Sequence, residues 1–182
     1  MGGDLLAAAD YILREEFEHV CALLTPENRL AVDISLHTGL RIGDVLSLRS
    51  AEIKSSFSVT ESKTGKRRVI HLTKELLERC QAQAEKAPHG WLFPGRVDHE
   101  KHRTRQAVYQ DIKRAAVALR LPKCYQISPH SARKICAVDL FAKKRGDLKA
   151  VQKMLQHSDE AVTMLYAMAD VLTERRLGRR KK

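Results

Sequence analysis

No run of apolar residues in this 182-residue chain approaches the roughly 18 that a membrane-spanning helix needs. A leader peptide is not indicated either. Residues 1–13 are acidic and alanine-rich, without a basic start or an apolar stretch of the right length. Gly2 is followed by Leu at position 6, which does not suit a lipidation signal. The four cysteines, Cys21, Cys80, Cys124 and Cys136, contain no CxxC pair and read as small buried residues in a reducing cytoplasm. Neither Cys124, His130 and Cys136 nor "HEKH" at 99–102, with histidines three apart rather than four, makes a convincing zinc site. Also missing are a glycine-rich loop ending in GK[ST], a carboxylate cluster for Mg²⁺, an internal repeat and a low-complexity linker. The expected cofactor and metal complement is therefore none.

Positive charge is what the chain has in excess. Thirty-three Lys and Arg against 22 Asp and Glu give a formal charge of +11, which points to a polyanionic partner, most simply nucleic acid. Apolar residues make up 43%, and the length suits one domain with a real core. Periodicity predicts amphipathic helices over 14–24 and 27–38, with Thr25 as a cap and Gly39 as a stop, then a third from Arg41 to about Leu48. "SSFSVTES" and "KRRVIHL" alternate around "KTGK", a two-strand signal with a glycine-containing turn. Thr73 caps a helix over 74–86. Trp91-Leu92-Phe93 is placed to supply a short third strand. Thr104 opens a helix to about Leu119, with Val108, Ile112, Ala115 and Leu119 on one face. Ser128 and Pro129 start another that runs to about Lys144. Two short helices, 147–156 and 159–168, follow. The expected fold is α+β, mainly helical with one small antiparallel sheet.

Four short motifs carry chemistry. "HTGLRIGDVLSL" at 37–48 sets Arg41 and Asp44 one helical turn apart, which by itself reads as an exposed ion pair. "TESKTGKRRVIHL" at 60–72 puts Lys63 before a Thr-Gly turn, otherwise a solvated hairpin with lysines guarding an edge. "HSAR" sets His130 and Arg133 on one face of a helix's first turn, a place suited to phosphate. "LQHSDEAVTMLYAM" at 155–168 sets His157 nine positions before Tyr166, whose ordinary reading is a half-buried ring with its hydroxyl in water.

Taken in order, Arg41, Lys63, His130, Arg133, His157 and Tyr166 resemble the catalytic domain of tyrosine recombinases, the phage integrase family, from about Arg14 to Met168. The resemblance implies that the six residues line one pocket around a scissile phosphate. It implies that duplex DNA is cut and rejoined through a 3′-phosphotyrosyl intermediate with Tyr166 as nucleophile. Two arginines suit the charge that grows on the phosphoryl oxygens, with His130 and His157 as further donors. His130 is the better candidate to help deprotonate a phenol whose ordinary pKa is about 10. Lys63 is the natural acid for the departing 5′-oxygen. Asp44 reads as orienting support for the cations, and Lys66, Arg67 and Lys134 as DNA contacts. Transesterification conserves the bond energy, so no nucleotide is required.

The same resemblance implies double-stranded attachment sites as substrate, self-association on DNA into a tetrameric synapse, DNA-bending accessory proteins, and a location on DNA in a bacterial cytoplasm. The expected organisation is a catalytic domain over 1–172 and a basic tail over 173–182, with the family's usual N-terminal DNA-binding domain not in this chain. Three positions depart from the family pattern. Gln156 stands where Gly usually precedes the second histidine, at a cost of about 1 kcal/mol if positive φ is needed there. Lys134 stands where His is common, and Ala132 where Leu is. The alternatives are a type IB topoisomerase-like relaxing enzyme, a phosphodiesterase that hydrolyses, and a basic DNA-binding protein without catalysis.

Overall fold

One buried carboxylate ties two of the helices together. In the computed structural model, which describes residues 12–121 and 124–156, Asp111 is 7% exposed on α5 (Arg105–Ala118). Its Oδ2 accepts from the Thr25 backbone N–H (2.9 Å), the Thr25 hydroxyl (3.0 Å) and Asn28 Nδ2 (2.7 Å), at the start of α2 (Pro26–Thr38). Burial alone pushes the Asp111 carboxyl up, but these donors and Arg114 outweigh it and hold it below the usual carboxylate range. Thr25 thus stands at the N-cap position as its sequence predicts, yet its hydroxyl is committed to α5 and does not cap its own helix.

Among the described residues seven α-helices and one two-stranded sheet occur. α1 (Arg14–Ala22), α2 and α3 (Ile42–Leu46) precede β1 (Ser56–Thr60) and β2 (Arg67–His71). α4 (Lys74–Lys86), α5, α6 (Pro129–Lys143) and α7 (Leu148–Leu155) follow. The fold is mainly helical with a small antiparallel sheet. β1 and β2 pair with Phe57 opposite Ile70 and Val59 opposite Arg68. Phe57, Val59 and Ile70 face the core. That core runs through Phe17, Ile34, Leu46, Phe93, Ile112 and Ile135, all wholly buried or nearly so, each worth about 1.5–3 kcal/mol of burial. A satellite of Ala137, Val151 and Leu155, packed with Leu140, Phe141 and Met154, fastens α7 to α6.

Helix ends follow local chemistry. Gly39 closes α2 in the left-handed region (φ 69°), its N–H donating to Ser35 O at 2.8 Å. A side chain there would also meet the Met154 sulfur, which would have to shift. Thr73 Oγ1 accepts from Leu76 N at the start of α4, and Thr104 does the same for Ala107 at the start of α5. α6 begins at Pro129, with the Ser131 hydroxyl accepting from Ser128 N–H.

The Trp91-Leu92-Phe93 segment does not form the expected third strand. It makes a single bridge, Arg49 to Trp91, and Leu92 N–H donates to Leu48 O at 2.9 Å. Gly90 before it lies at φ 75°, and Pro94 after it, which has no N–H, bridges to a different segment at His102, so no continuous third strand forms. Leu92 and Phe93 are buried anchors, and the Arg49 guanidinium sits 3.3 Å over the Trp91 ring. Cys21, Cys80 and Cys136 are buried, and burial pushes their thiols up to about 12, 11 and 11. The expected helix over 159–168 lies outside the described residues.

Candidate active site

A cleft of about 740 Å³ opens between α3, the β1–β2 turn, the start of α5 and the start of α6. Arg41, Lys63, His130 and Arg133 all line it. These residues come from three separate chain segments, and the fold brings them to one place. His157 and Tyr166 lie outside the described residues.

Arg41 is the residue before α3, with extended backbone at φ −66°, ψ 142°. Its side chain is 16% exposed, and Nη1 lies 2.5 Å from Glu61 Oε2. Asp44, one turn further, is 2% exposed, and its Oδ1 accepts from both the backbone N–H and the hydroxyl of Ser62, at 2.9 and 2.6 Å. The exposed Arg41–Asp44 ion pair that spacing suggests is therefore not how these residues are used. Each instead reaches across to the hairpin, to adjacent residues just ahead of Lys63.

The hairpin turn is closed by Glu61 N–H donating to Lys66 O at 3.0 Å and Gly65 N–H donating to Glu61 O at 2.8 Å. Gly65 takes φ 65° with open space around it, so only its backbone freedom is required. Lys63 is exposed on this turn and projects into the cleft lining.

On α6, His130 is exposed at the mouth of the cleft. Arg133, one turn deeper, is 0% exposed. Its Nη1 donates to Gly39 O, at the end of α2, and its Nη2 to Leu155 O at 2.8 Å, at the end of α7. Those two bonds fix the plane of a guanidinium whose five donors point in set directions. The carbonyl ends of two helices supply partial negative charge that supports a cation there.

Arg68, which the sequence motifs do not single out, is the second inward arginine. It donates to Met154 O and to Thr38 O (2.9 Å), and its Nε lies 3.5 Å from Glu61 Oε1. Burial lowers its pKa, an effect that Glu61 opposes. Among the expected DNA contacts, Arg67 is exposed, Lys66 Nζ reaches Gln156 O at 3.3 Å, and Lys134 is half-buried on α6. Gln156 itself has φ 53°, so the position where glycine is usual does adopt the left-handed region here with a non-glycine residue.

Sequence reasoning missed Glu61, which is 0% exposed, and missed Arg105, Gln106 and Tyr109 on the first turns of α5, which line the cleft opposite His130. The register of α5 held a signal. Val108, Ile112 and Ala115 face inward, so residues 105, 106 and 109 are left for another surface.

Comparison with known proteins fits this arrangement. The sequence pattern that defines the phage integrase family matches residues 11–172. The chain belongs to the phage integrase family. Tyrosine recombinase XerD of Rhizobium meliloti (strain 1021) is 31% identical over 151 residues, covering 79% of this chain and 47% of the relative. The probable integrase/recombinase YoeC of Bacillus subtilis (strain 168) is 29% identical over 143 residues, covering 77% of this chain and 76% of that protein. The chain spans about half the length of the XerD relatives it matches. Among solved structures, XerA recombinase superposes with a TM-score of 0.69 at 17% identity, covering 97% of this chain and 66% of that one. A lambda integrase dimer bound to a COC′ core site superposes with a TM-score of 0.66 at 20% identity, covering 87% and 47%. At these identities the likeness to solved structures is one of fold. As an integrase-family fold, the molecule has its cleft on the face where α3, the hairpin and α6 converge.

Proposed function

We propose that this integrase-family domain is the catalytic part of a site-specific DNA recombinase. It cleaves and rejoins duplex DNA by transesterification, passing through a 3′-phosphotyrosyl intermediate on Tyr166. The observation that carries this reading is the convergence of Arg41, Lys63, His130 and Arg133 on one open cleft. Three cations and an imidazole in one concavity suit a phosphodiester.

In this reading the Tyr166 oxygen forms a bond to phosphorus, and the bond to the 5′-oxygen breaks. Arg41 and Arg133 hold the two non-bridging oxygens as their charge rises. His130 assists the phenol's loss of its proton, His157 adds a hydrogen bond to the phosphoryl group, and Lys63 gives its proton to the 5′-oxygen. Rejoining is the same path reversed, so bond energy is retained. Asp44 supports the site by holding the hairpin through Ser62. Lys66, Arg67 and Lys134 extend the basic surface toward flanking phosphates, and Arg105, Gln106 and Tyr109 give α5 a polar edge along the same cleft. The substrate is a double-stranded attachment site, met by several copies of the protein in a tetrameric synapse, with DNA-bending proteins as helpers. The work is done on DNA in a bacterial cytoplasm. The domain reading of 1–172 with a basic tail over 173–182 belongs to the same proposal.

The test is a nicked duplex that loses a short fragment after cleavage and so traps the covalent complex. Digestion and mass spectrometry should place the adduct on Tyr166, and Tyr166→Phe should form none. An adduct on Tyr11, Tyr109 or Tyr125 would overturn the assignment. Free hydrolysis product would favour a phosphodiesterase, relaxed plasmid without strand exchange a topoisomerase-like enzyme, and a mobility shift alone a binding protein.

A further inference from the structure

Glu61 is a full negative charge, withdrawn from water, beside the cleft that the proposed function assigns to a phosphodiester. On charge alone it should oppose substrate, and a buried carboxylate is retained only where its partners return the lost hydration. Arg41 lies 2.5 Å from Oε2 and Arg68 3.5 Å from Oε1, so the carboxylate stands between the arginine of the cleft and an arginine of β2. Its backbone is fixed as well, since both its N–H and its carbonyl close the hairpin turn. One residue on, Ser62 is held by Asp44 from α3. Arg41 and Asp44, at the start of α3, thus grip two consecutive hairpin residues immediately before Lys63.

We propose that Glu61 is a positioning residue for the strand-cleavage reaction: by holding Arg41 from a rigid hairpin, it sets the direction in which that guanidinium meets the scissile phosphate. The inference rests on the transesterification reading above. A long arginine side chain at the start of a helix samples many rotamers, and an ion pair with a wholly buried partner removes most of them. A donor fixed before the charge develops has no reorganisation to undergo during attack. The effect of Glu61 is therefore expected on the chemical step and through Arg41, with DNA affinity unchanged or slightly raised by loss of a negative charge.

The experiment measures single-turnover cleavage of the nicked duplex at saturating DNA for wild type, Glu61→Gln, Arg41→Ala and the double variant, reading rate constant and reactive amplitude separately. Glu61→Gln should cleave at least about 10-fold more slowly with full amplitude. The double variant should be no slower than Arg41→Ala, because the positioned group is already gone. The Glu61→Gln defect should persist on a substrate whose 5′-bridging oxygen is sulfur, which needs no proton from Lys63. A wild-type rate in Glu61→Gln, additive losses in the double variant, or rescue by sulfur would each overturn the proposal. If circular dichroism shows that Glu61→Gln does not fold, Glu61→Asp carries the test, since it keeps the buried negative charge but, one methylene shorter, draws the carboxylate back from Arg41. It should then react at a rate between wild type and Arg41→Ala, and a wild-type rate would overturn the proposal. A wild-type protein that forms no adduct would instead remove the transesterification reading itself.

Discussion

Lys63 and Lys66 stand on the same hairpin turn, and their surroundings separate their roles. Lys66 is drawn to the Gln156 carbonyl at 3.3 Å, whereas Lys63 lines the cleft. The general-acid assignment accordingly falls on Lys63. A thiolate leaves without help from a proton, so replacing the 5′-bridging oxygen by sulfur makes an acid redundant while leaving phosphoryl charge to be stabilised. Lys63→Ala should lose about 10²-fold or more in cleavage of ordinary DNA and recover most of it on the sulfur substrate. Arg41→Ala and Arg133→Ala should stay slow on both. Equal impairment of Lys63→Ala on the two substrates would leave it as a phosphate ligand only, and selective rescue of Lys66→Ala would move the acid across the turn.

At this scale the cleft residues were legible because arginine, lysine and histidine in such spacing have few other joint uses. Glu61 was not, because a glutamate among lysines and serines reads as solvated charge. Only the fold reveals that its neighbours are arginines seven residues ahead and twenty behind. Arg133 was legible as a cation but not as a buried one, since its partners are backbone carbonyls, which every sequence position offers equally.

Helix ends carry the next level of organisation. Three basic side chains meet the last carbonyls of α7: Arg68 at Met154, Arg133 at Leu155 and Lys66 at Gln156. Cations at a helix C-terminus satisfy carbonyls left without intrahelical partners and complement the dipole. The strained link in this arrangement is Gln156, left-handed at φ 53° with a buried Oε1 that makes no hydrogen bond among the described residues. Strain in this region is about 1–2 kcal/mol for a residue with a Cβ, against about 0.4–1 kcal/mol of added unfolded-state entropy for glycine. Relief wins by a small margin. Gln156→Gly should stabilise the domain by about 0.5–1 kcal/mol, raising the midpoint of thermal unfolding by about 1–4 °C. A lowered midpoint in differential scanning calorimetry would show that the glutamine side chain contributes packing that outweighs the strain.

Element boundaries were legible wherever a cap or stop is local, as with Gly39, Thr73, Thr104 and the Ser128-Pro129 start. They were illegible where a tertiary partner competes. Thr25 is claimed by Asp111, 86 residues away, and the Trp91 segment is claimed by Leu48 and by burial of Leu92 and Phe93. Asp111 itself sits on the apolar face of α5, where periodicity alone predicts a hydrophobic residue.

For the molecule as a whole, the excess of positive charge should govern binding. Six of its basic residues fall within 175–182, beside the single acidic Glu174. Affinity for duplex DNA should fall steeply with salt, with a log–log slope of about −0.9 per phosphate neutralised. Removing residues 175–182 should flatten that slope by about 0.9 for each phosphate that the tail neutralises. Fluorescence anisotropy across a salt series measures it directly. An unchanged slope accompanied by a shifted oligomeric state in ultracentrifugation would assign the tail to protein–protein association instead.

The Arg133–Gly39 bond joins residues 94 apart in the chain, and it connects the two walls of the cleft. During synthesis at about 5–20 residues per second, the arginine follows the glycine from the ribosome by about 5–20 s. Through that interval the nascent chain already carries Arg41 and Lys63, and it can meet DNA through charge. It has no opposite wall to hold a phosphodiester, and the Gly39 carbonyl still lacks its Arg133 donor. Under the proposed mechanism, cutting competence waits for α6 to complete the cleft and then for Tyr166 to follow it, and a ribosome that stalls before residue 129 leaves a fragment with basic charge but neither the second wall nor the nucleophile.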